Sequence, residues 1–133
     1  MSTATLKSLT PVLIVDEVEP CAEFWIQKLG FTKPTEVPGD GGKAVFAILQ
    51  KDGVEIMYQT KKSVVDDSPA QQAELTGHST ALFITVPTMS DLDAIEKAVK
   101  DAPMVKERHQ TFYGSTEFYI REPGGNVVGF AAF

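Results

Sequence analysis

An internal repeat of one strand-and-helix pattern limits the folds that are possible for this chain. Val15 ends the first apolar run, and Val86 ends a similar run 71 residues later. Two glycine turns, at Asp52-Gly53 and at Gly124-Gly125, each separate two runs of alternating apolar residues, which is typical of β-hairpins. Gly53 and Gly125 are 72 residues apart. This nearly constant offset indicates two copies of one supersecondary unit in tandem.

Each copy has the order β-α-β-β-β. In the first copy, a helix over residues 20–29 is indicated by Cys21, Phe24, Trp25 and Leu29, which share one helical face, and Gly30 ends it. In the second copy, Ser90-Asp91 begins the corresponding helix. The predicted strands cover residues 9–15, 31–37, 44–49 and 54–59, and then 80–86, 104–112, 116–121 and 127–133.

The chain of 133 residues is predicted to be a single domain of the α+β class, residues 1–133. Module one covers about residues 8–60 and module two about residues 79–133. The segment between them, about residues 61–78, is polar and is expected to be a linker. A helical turn is expected around residues 69–75, and Lys61-Lys62 is expected in a solvated loop.

Composition excludes several classes of function. The net charge of −6 argues against binding to nucleic acid, whose phosphates require a basic surface. Cys21 is the only cysteine, so no intramolecular disulfide can form and a reducing compartment is expected. Residues 1–7 lack the apolar core of a signal peptide, and no apolar run approaches the ~20 residues that cross a bilayer. We therefore expect a cytoplasmic protein without membrane contact.

Three stretches carry a resemblance to a known family: VLIVDEVEPCAEFWIQKLGF at residues 12–31, DGVEIMYQ at 52–59 and YGSTEFYIREPGGNVVGF at 113–130. With the order of the elements, they make the chain resemble the vicinal oxygen chelate superfamily of glyoxalases, bleomycin-resistance proteins and extradiol dioxygenases. The resemblance implies two βαβββ modules in tandem whose mixed sheet forms a cup, or half-barrel, with the helices outside. It also implies a homodimer.

Metal-using members of this superfamily place one ligand on each of the first, fourth, fifth and eighth strands. The matching positions here are Thr10, Glu55 or Met57, Ala81 and Gly129. Alanine and glycine have no donor atom, and a threonine hydroxyl is a poor ligand for a catalytic cation. The usual divalent-metal site is therefore expected to be absent, and no cofactor is expected.

Two histidines could contribute to a rearranged metal site with Glu55 and Glu117. His78 lies in the linker and His109 in the sixth strand, and both are more simply interpreted as surface or pocket-rim residues. Cys21 lies near a helix N-terminus, but it shares the apolar face of that helix and is expected to be a packing residue.

Strand alternation predicts which side chains face the cup. The candidate ligand-binding residues are Val12, Phe46, Glu55, Met57, Gln59, Phe83, Tyr113, Glu117 and Tyr119. Trp25 and Phe24 lie on the helix face and are expected in the core. Glu55 and Glu117 are also the candidate catalytic residues, because a carboxylate facing an apolar cup would have a raised pKa.

The first functional hypothesis is metal-independent binding or sequestration of a small hydrophobic or cationic organic molecule, as the resemblance to bleomycin-resistance proteins implies. The alternative is a glyoxalase-type lyase, an isomerase or a dioxygenase that uses a rearranged metal site or a glutamate general base. A third possibility is a cup filled by core side chains, in a protein that acts only through its dimer surface.

Overall fold

The computed structural model describes residues 2–67 and 80–133, and it confirms two tandem βαβββ modules. Module one contains β1 (Val12–Val15), α1 (Val18–Leu29), β2 (Thr32–Pro38), β3 (Ala44–Lys51), β4 (Val54–Thr60) and α2 (Lys61–Asp67). Module two contains β5 (Ala81–Val86), α3 (Met89–Ala98), β6 (Met104–Gln110), β7 (Thr116–Arg121) and β8 (Val127–Ala132).

The strands form two four-stranded mixed sheets with the same topology, one in each module. Their orders are β1-β4-β3-β2 and β5-β8-β7-β6. In each sheet the first strand pairs in parallel with the last, and the other pairs are antiparallel. The repeated topology is the structural counterpart of the constant offset in the sequence.

Local signals define the ends of the two long helices. Gly30 adopts a φ of 74° and donates its backbone N–H to Ile26, which ends α1 as expected for a C-terminal glycine. The hydroxyl of Thr88 accepts the backbone N–H of Asp91 and so caps α3. The helix therefore begins at Met89, slightly before the predicted start at Ser90.

Helix α2 is a correction to the expected loop, because Lys61 and Lys62 lie on its first turn. Its start is stabilised by the Thr60 hydroxyl, which accepts the backbone N–H of Ser63 at 3.2 Å. Lys61 also contacts Asp16 at 3.2 Å. The helical turn expected around residues 69–75 and His78 both lie outside the described residues.

One buried cluster contains side chains from both modules. Trp25 of α1 is fully buried, as predicted, and it packs with Tyr58 on one sheet, while Phe118 and Phe130 come from the other sheet. Both sheets therefore turn one face towards a shared core. No helix in the described ranges is long and apolar enough to cross a membrane.

Cys21 is part of this core, which confirms that it is a packing residue. It has no exposed surface, and burial, together with the charge of Glu122, raises the pKa of its thiol to about 12. The thiol is therefore protonated at neutral pH and is a poor nucleophile.

Candidate functional site

The predicted site residues of module one share one face of its sheet. The register pairs Val12 with Met57 and Phe46 with Gln59, and Glu55 lies beside Gln50. Val12 is 45% exposed, and the other predicted residues on this face are half-buried. This face is opposite to the one that packs on α1, so it is the cup face of module one.

Glu55 is held by two neutral donors on this face. The Thr10 hydroxyl donates to Oε1 of Glu55 at 3.0 Å, and the Gln50 amide donates to Oε2. Glu55 also borders an open concavity of about 640 Å³ at the β3–β4 hairpin. Glu55 therefore accepts hydrogen bonds from polar neighbours instead of facing an apolar wall.

The predicted site residues of module two also share one face. Phe83 and Tyr119 both lie beside Gly129, and Glu117 lies beside Ala131. Tyr113 comes from the turn between β6 and β7. The structure therefore brings the predicted residues together as two groups, one on each sheet, and no hydrogen bond among the described residues joins Glu55 to Glu117.

Glu117 is enclosed on the cup face of module two, with only 2% of its surface exposed. Oε1 accepts the hydroxyls of Tyr113 and Tyr119, both at 2.8 Å, and Oε2 accepts the Ser115 hydroxyl at 2.7 Å. We call these four residues the Glu117 cluster.

The pKa of Glu117 is lowered, which corrects the expectation of a raised value. Burial alone would raise the pKa, but the three hydroxyl hydrogen bonds and the nearby His109 together outweigh it. The carboxylate is therefore ionised at neutral pH. The hydrogen bond to Glu117 raises the pKa of Tyr113, and burial together with the Glu117 bond raises the pKa of Tyr119 to about 12.

The turn between β6 and β7 places Tyr113 over Glu117. Thr111 accepts the Ser115 backbone N–H with its hydroxyl at 3.1 Å and donates its own backbone N–H to the Ser115 carbonyl at 2.9 Å. Gly114 adopts a φ of 94°, which allows the tight reversal. Ser115 lies two residues before Glu117, so strand alternation could have placed it in the site.

Aromatic rings surround the Glu117 cluster on the open side of the sheet. We call Phe83, His109, Tyr113, Tyr119 and Phe133 the aromatic rim. Phe83 and His109 lie 6.5 and 6.4 Å from the Tyr119 ring, and Phe133 lies 6.3 Å from the Tyr113 ring. Phe83, Tyr113 and Phe133 are 48%, 49% and 68% exposed. Phe133 was not among the predicted site residues, although alternation along β8 would place it on the face of Gly129 and Ala131, whereas His109 was expected at a rim.

The residues at the metal-ligand positions do not fit a divalent cation. Thr10 donates its hydroxyl to Glu55, and Ala81 is exposed. A Cβ at Gly129 would overlap the Tyr119 ring, so that ring occupies the space of an eighth-strand ligand. In the described part of the chain, no group of three His, Cys, Asp or Glu residues could hold a metal.

A second buried polar cluster lies on the core side, and the sequence did not predict it. The Tyr58 hydroxyl donates to Glu122 at 2.5 Å and accepts the indole N–H of Trp25 at 2.8 Å. The other oxygen of Glu122 accepts the backbone N–H of Asn126 at 2.6 Å. This cluster joins module one to the closing hairpin of module two.

Comparison with solved structures gives the same fold at low sequence identity. A glyoxalase/bleomycin resistance protein/dioxygenase from Nocardioides superposes with a TM-score of 0.74 at 16% identity, over 98% of this chain and 86% of that one. Lactoylglutathione lyase from Agrobacterium tumefaciens gives 0.72 at 16% identity, over 96% and 95% of the two chains. TioX from Micromonospora sp. ML1 gives 0.71 at 15% identity, over 95% and 98%.

Sequence comparison identifies the family itself. A search of curated proteins found no match. The family model described as Glyoxalase/Bleomycin resistance protein/Dioxygenase superfamily matches residues 6–130. Because that match spans nearly the whole chain and the structure has the tandem modules, the protein belongs to the glyoxalase/bleomycin resistance protein/dioxygenase superfamily.

Proposed function

We propose that this protein binds and sequesters a small organic cation with an apolar body, without a metal and without chemical conversion. The observation that carries the proposal is the ionised Glu117 beneath the aromatic rim. Among the described residues, no lysine or arginine forms an ion pair with Glu117. A ligand cation could therefore balance its charge.

The aromatic rim suits the same class of ligand. A cation over the face of an aromatic ring gains about 0.5–2 kcal/mol, and more when water is excluded. The exposed rings of Phe83, Tyr113 and Phe133 also offer apolar area to the body of a ligand. Charge and apolar surface thus occur together on the cup face of module two.

The acid-base properties of the cluster favour binding over catalysis. A general acid or base works best with a pKa near the operating pH. The pKa of Glu117 lies below its ordinary value, and burial raises the pKa of Tyr119 to about 12. Neither group is suited to exchange a proton with a substrate at neutral pH.

A second copy of the chain is proposed to cover the open cup face. β1 and β5 are edge strands of their sheets, and neither has a second partner strand in the described residues. Three members of the aromatic rim, Phe83, Tyr113 and Phe133, are 48–68% exposed in one chain. A homodimer would remove these rings from water and turn an open face into a pocket.

The test of the proposal is calorimetric titration with 1-naphthylmethylammonium at neutral pH. The wild-type protein should bind this probe, and Glu117→Gln should weaken binding by about tenfold or more because it removes the charge. Glu23→Gln, at an exposed position on α1, makes the same change in net charge and should bind like the wild type. Circular dichroism would verify that both variants are folded.

Native mass spectrometry of protein purified without chelator would test the remaining parts. The expected mass is that of a dimer without stoichiometric metal. A stoichiometric metal ion, or equal affinities of the Glu117→Gln and wild-type proteins for the probe, would contradict the proposal.

A further inference from the structure

We propose that the Glu117 cluster selects cations that carry N–H groups, such as protonated amines, amidines and guanidines, over quaternary ammonium ions. This inference rests on the proposed function and specifies its ligand. It follows from the direction of the hydroxyl hydrogen bonds, which leaves only hydrogen-bond acceptors available to a ligand.

Each hydroxyl of the cluster has one hydrogen, and each hydrogen is already used. An ionised carboxylate can only accept, so Tyr113 and Tyr119 must both donate to Oε1 of Glu117. Ser115 must likewise donate to Oε2. The oxygen atoms of both tyrosines therefore retain lone pairs but have no hydrogen left for a ligand.

The direction of the hydrogen bonds can also be assigned in the turn between β6 and β7. The hydroxyl oxygens of Thr111 and Ser115 lie 2.8 Å apart, and either could be the donor by geometry. Since the Ser115 hydrogen is used on Glu117, Thr111 is the donor of this pair. Thr111 in turn accepts the backbone N–H of Ser115, which cannot reverse its direction. The hydroxyls of Ser115, Tyr113 and Tyr119 therefore all point towards Glu117, and reversing any of them would break a hydrogen bond to its carboxylate.

A ligand faces a negative charge covered by acceptor oxygens. Tyr113 is 49% exposed and bonds Glu117, which is 2% exposed, so a ligand that approaches the carboxylate meets Tyr113 first. A quaternary ammonium ion would gain the attraction of the charge and the rings but would leave the tyrosine oxygens desolvated without a donor. An N–H cation supplies both a positive charge and a hydrogen-bond donor, whereas a quaternary ion leaves these acceptors unsatisfied and should bind more weakly.

The experiment is a titration of the wild-type protein with a methylation series at neutral pH. The probes are 1-naphthylmethylammonium and its N-methyl, N,N-dimethyl and N,N,N-trimethyl derivatives. The dimethyl probe keeps one N–H and is nearly as large as the trimethyl probe. We expect the main loss, about tenfold or more, between these two probes.

The outcomes separate this inference from the proposed function. A gradual decline across the series would indicate size exclusion, and equal affinities for the last two probes would indicate charge alone. Either result overturns the N–H selectivity and leaves cation sequestration standing. If no cation of the series binds, the proposed function itself fails.

Glu117→Gln provides the second arm, with Glu23→Gln as the matched control. The glutamine amide replaces one of the two acceptor oxygens with a donating NH2 group, so a hydroxyl facing that group would turn its hydrogen towards the ligand. The dimethyl-to-trimethyl ratio should then fall to about threefold or less, whereas the control should keep the wild-type ratio. A Glu117 that only supports the fold would lower all four affinities and leave the ratio unchanged, which would overturn the inference. The wild-type series decides the question even if Glu117→Gln does not fold.

Discussion

Tyr119 and Gly129 are neighbours on adjacent strands and share one space on the cup face. The Tyr119 ring lies over the position where any side chain at residue 129 would begin, and its hydroxyl reaches Glu117. Only glycine at residue 129 allows the Tyr119 ring to lie this close to the backbone of β8. This position of the ring permits the Tyr119–Glu117 hydrogen bond. Gly129 therefore leaves the eighth-strand position without a metal ligand and also makes room for the Tyr119 ring of the Glu117 cluster.

Gly129→Ala should destabilise the protein by about 1–3 kcal/mol, because the added methyl group overpacks against the Tyr119 ring. In a Tyr119→Ala background the same change should cost little, since no ring remains to overlap. The free energy of unfolding from urea titrations of the four proteins gives the interaction energy. Equal costs in both backgrounds would show that the ring does not limit residue 129.

At the scale of elements, the closing hairpin between β7 and β8 joins the two modules. Its Glu122 accepts the Tyr58 hydroxyl of β4. Gly124 in the same turn approaches β1 so closely that an added Cβ would lie 2.6 Å from Cγ1 of Val15. A short turn of module two is thus packed into the core of module one.

Tyr58→Phe should destabilise the protein by about 1–3 kcal/mol, because it leaves buried Glu122 short of a donor and the Trp25 indole without an acceptor. Tyr113→Phe is the matched control, since it also deletes a hydroxyl that donates to a carboxylate. Tyr113 is half-exposed, so water can replace its hydroxyl and the loss should be smaller. If both variants lost similar amounts of unfolding free energy in denaturant titrations, the result would contradict a stabilising role of the Tyr58–Glu122 contact between the modules.

At the scale of the whole molecule, two sheets share one core and leave their cup faces open. Tyr58 and Phe118 are fully buried on the core faces, whereas Val12 and Phe83 are 45% and 48% exposed on the cup faces. The cup faces are thus covered only in part within a single chain. Glu117 is ionised on the open side, so the stability of the molecule is coupled to pH through it.

Stability should fall on acidification through the titration of Glu117. Folding lowers the pKa of Glu117 from its ordinary value of 4.5, so its contribution is complete above pH 4.5 and is lost as the pH falls through the folded value. Urea midpoints measured at decreasing pH should show a flatter acid slope for Glu117→Gln than for the wild type. Glu23→Gln should keep the wild-type slope, and a parallel decline of all three proteins would contradict the coupling.

Much of the fold could be predicted because its signals are local. Apolar alternation located the strands, Gly30 located the end of α1, and the turn at residues 124–125 located the closing hairpin. Helix α2 was missed because its capping residue, Thr60, belongs to the preceding strand. The capping bond is visible only when the chain direction after β4 is known.

The sheet face of the candidate site residues could be predicted from the sequence, but their chemistry could not. Alternation placed Phe83, Glu117 and Tyr119 on one face, and the register agrees with that placement. The direction of the Glu117 pKa shift was wrong, because three donors outweigh burial and two of them depend on how the turn folds back.

The tandem modules, their element order and the residues of each cup face could be derived from local sequence patterns, because they follow from periods of two and 3.6 residues and from turn residues. The contacts between distant residues, such as Tyr58 with Glu122 and Tyr119 with Gly129, emerged only in the folded structure. These contacts depend on strand register and on the packing of one module against the other. Local pattern thus fixes which side chains share a face, whereas only packing decides which of their atoms meet.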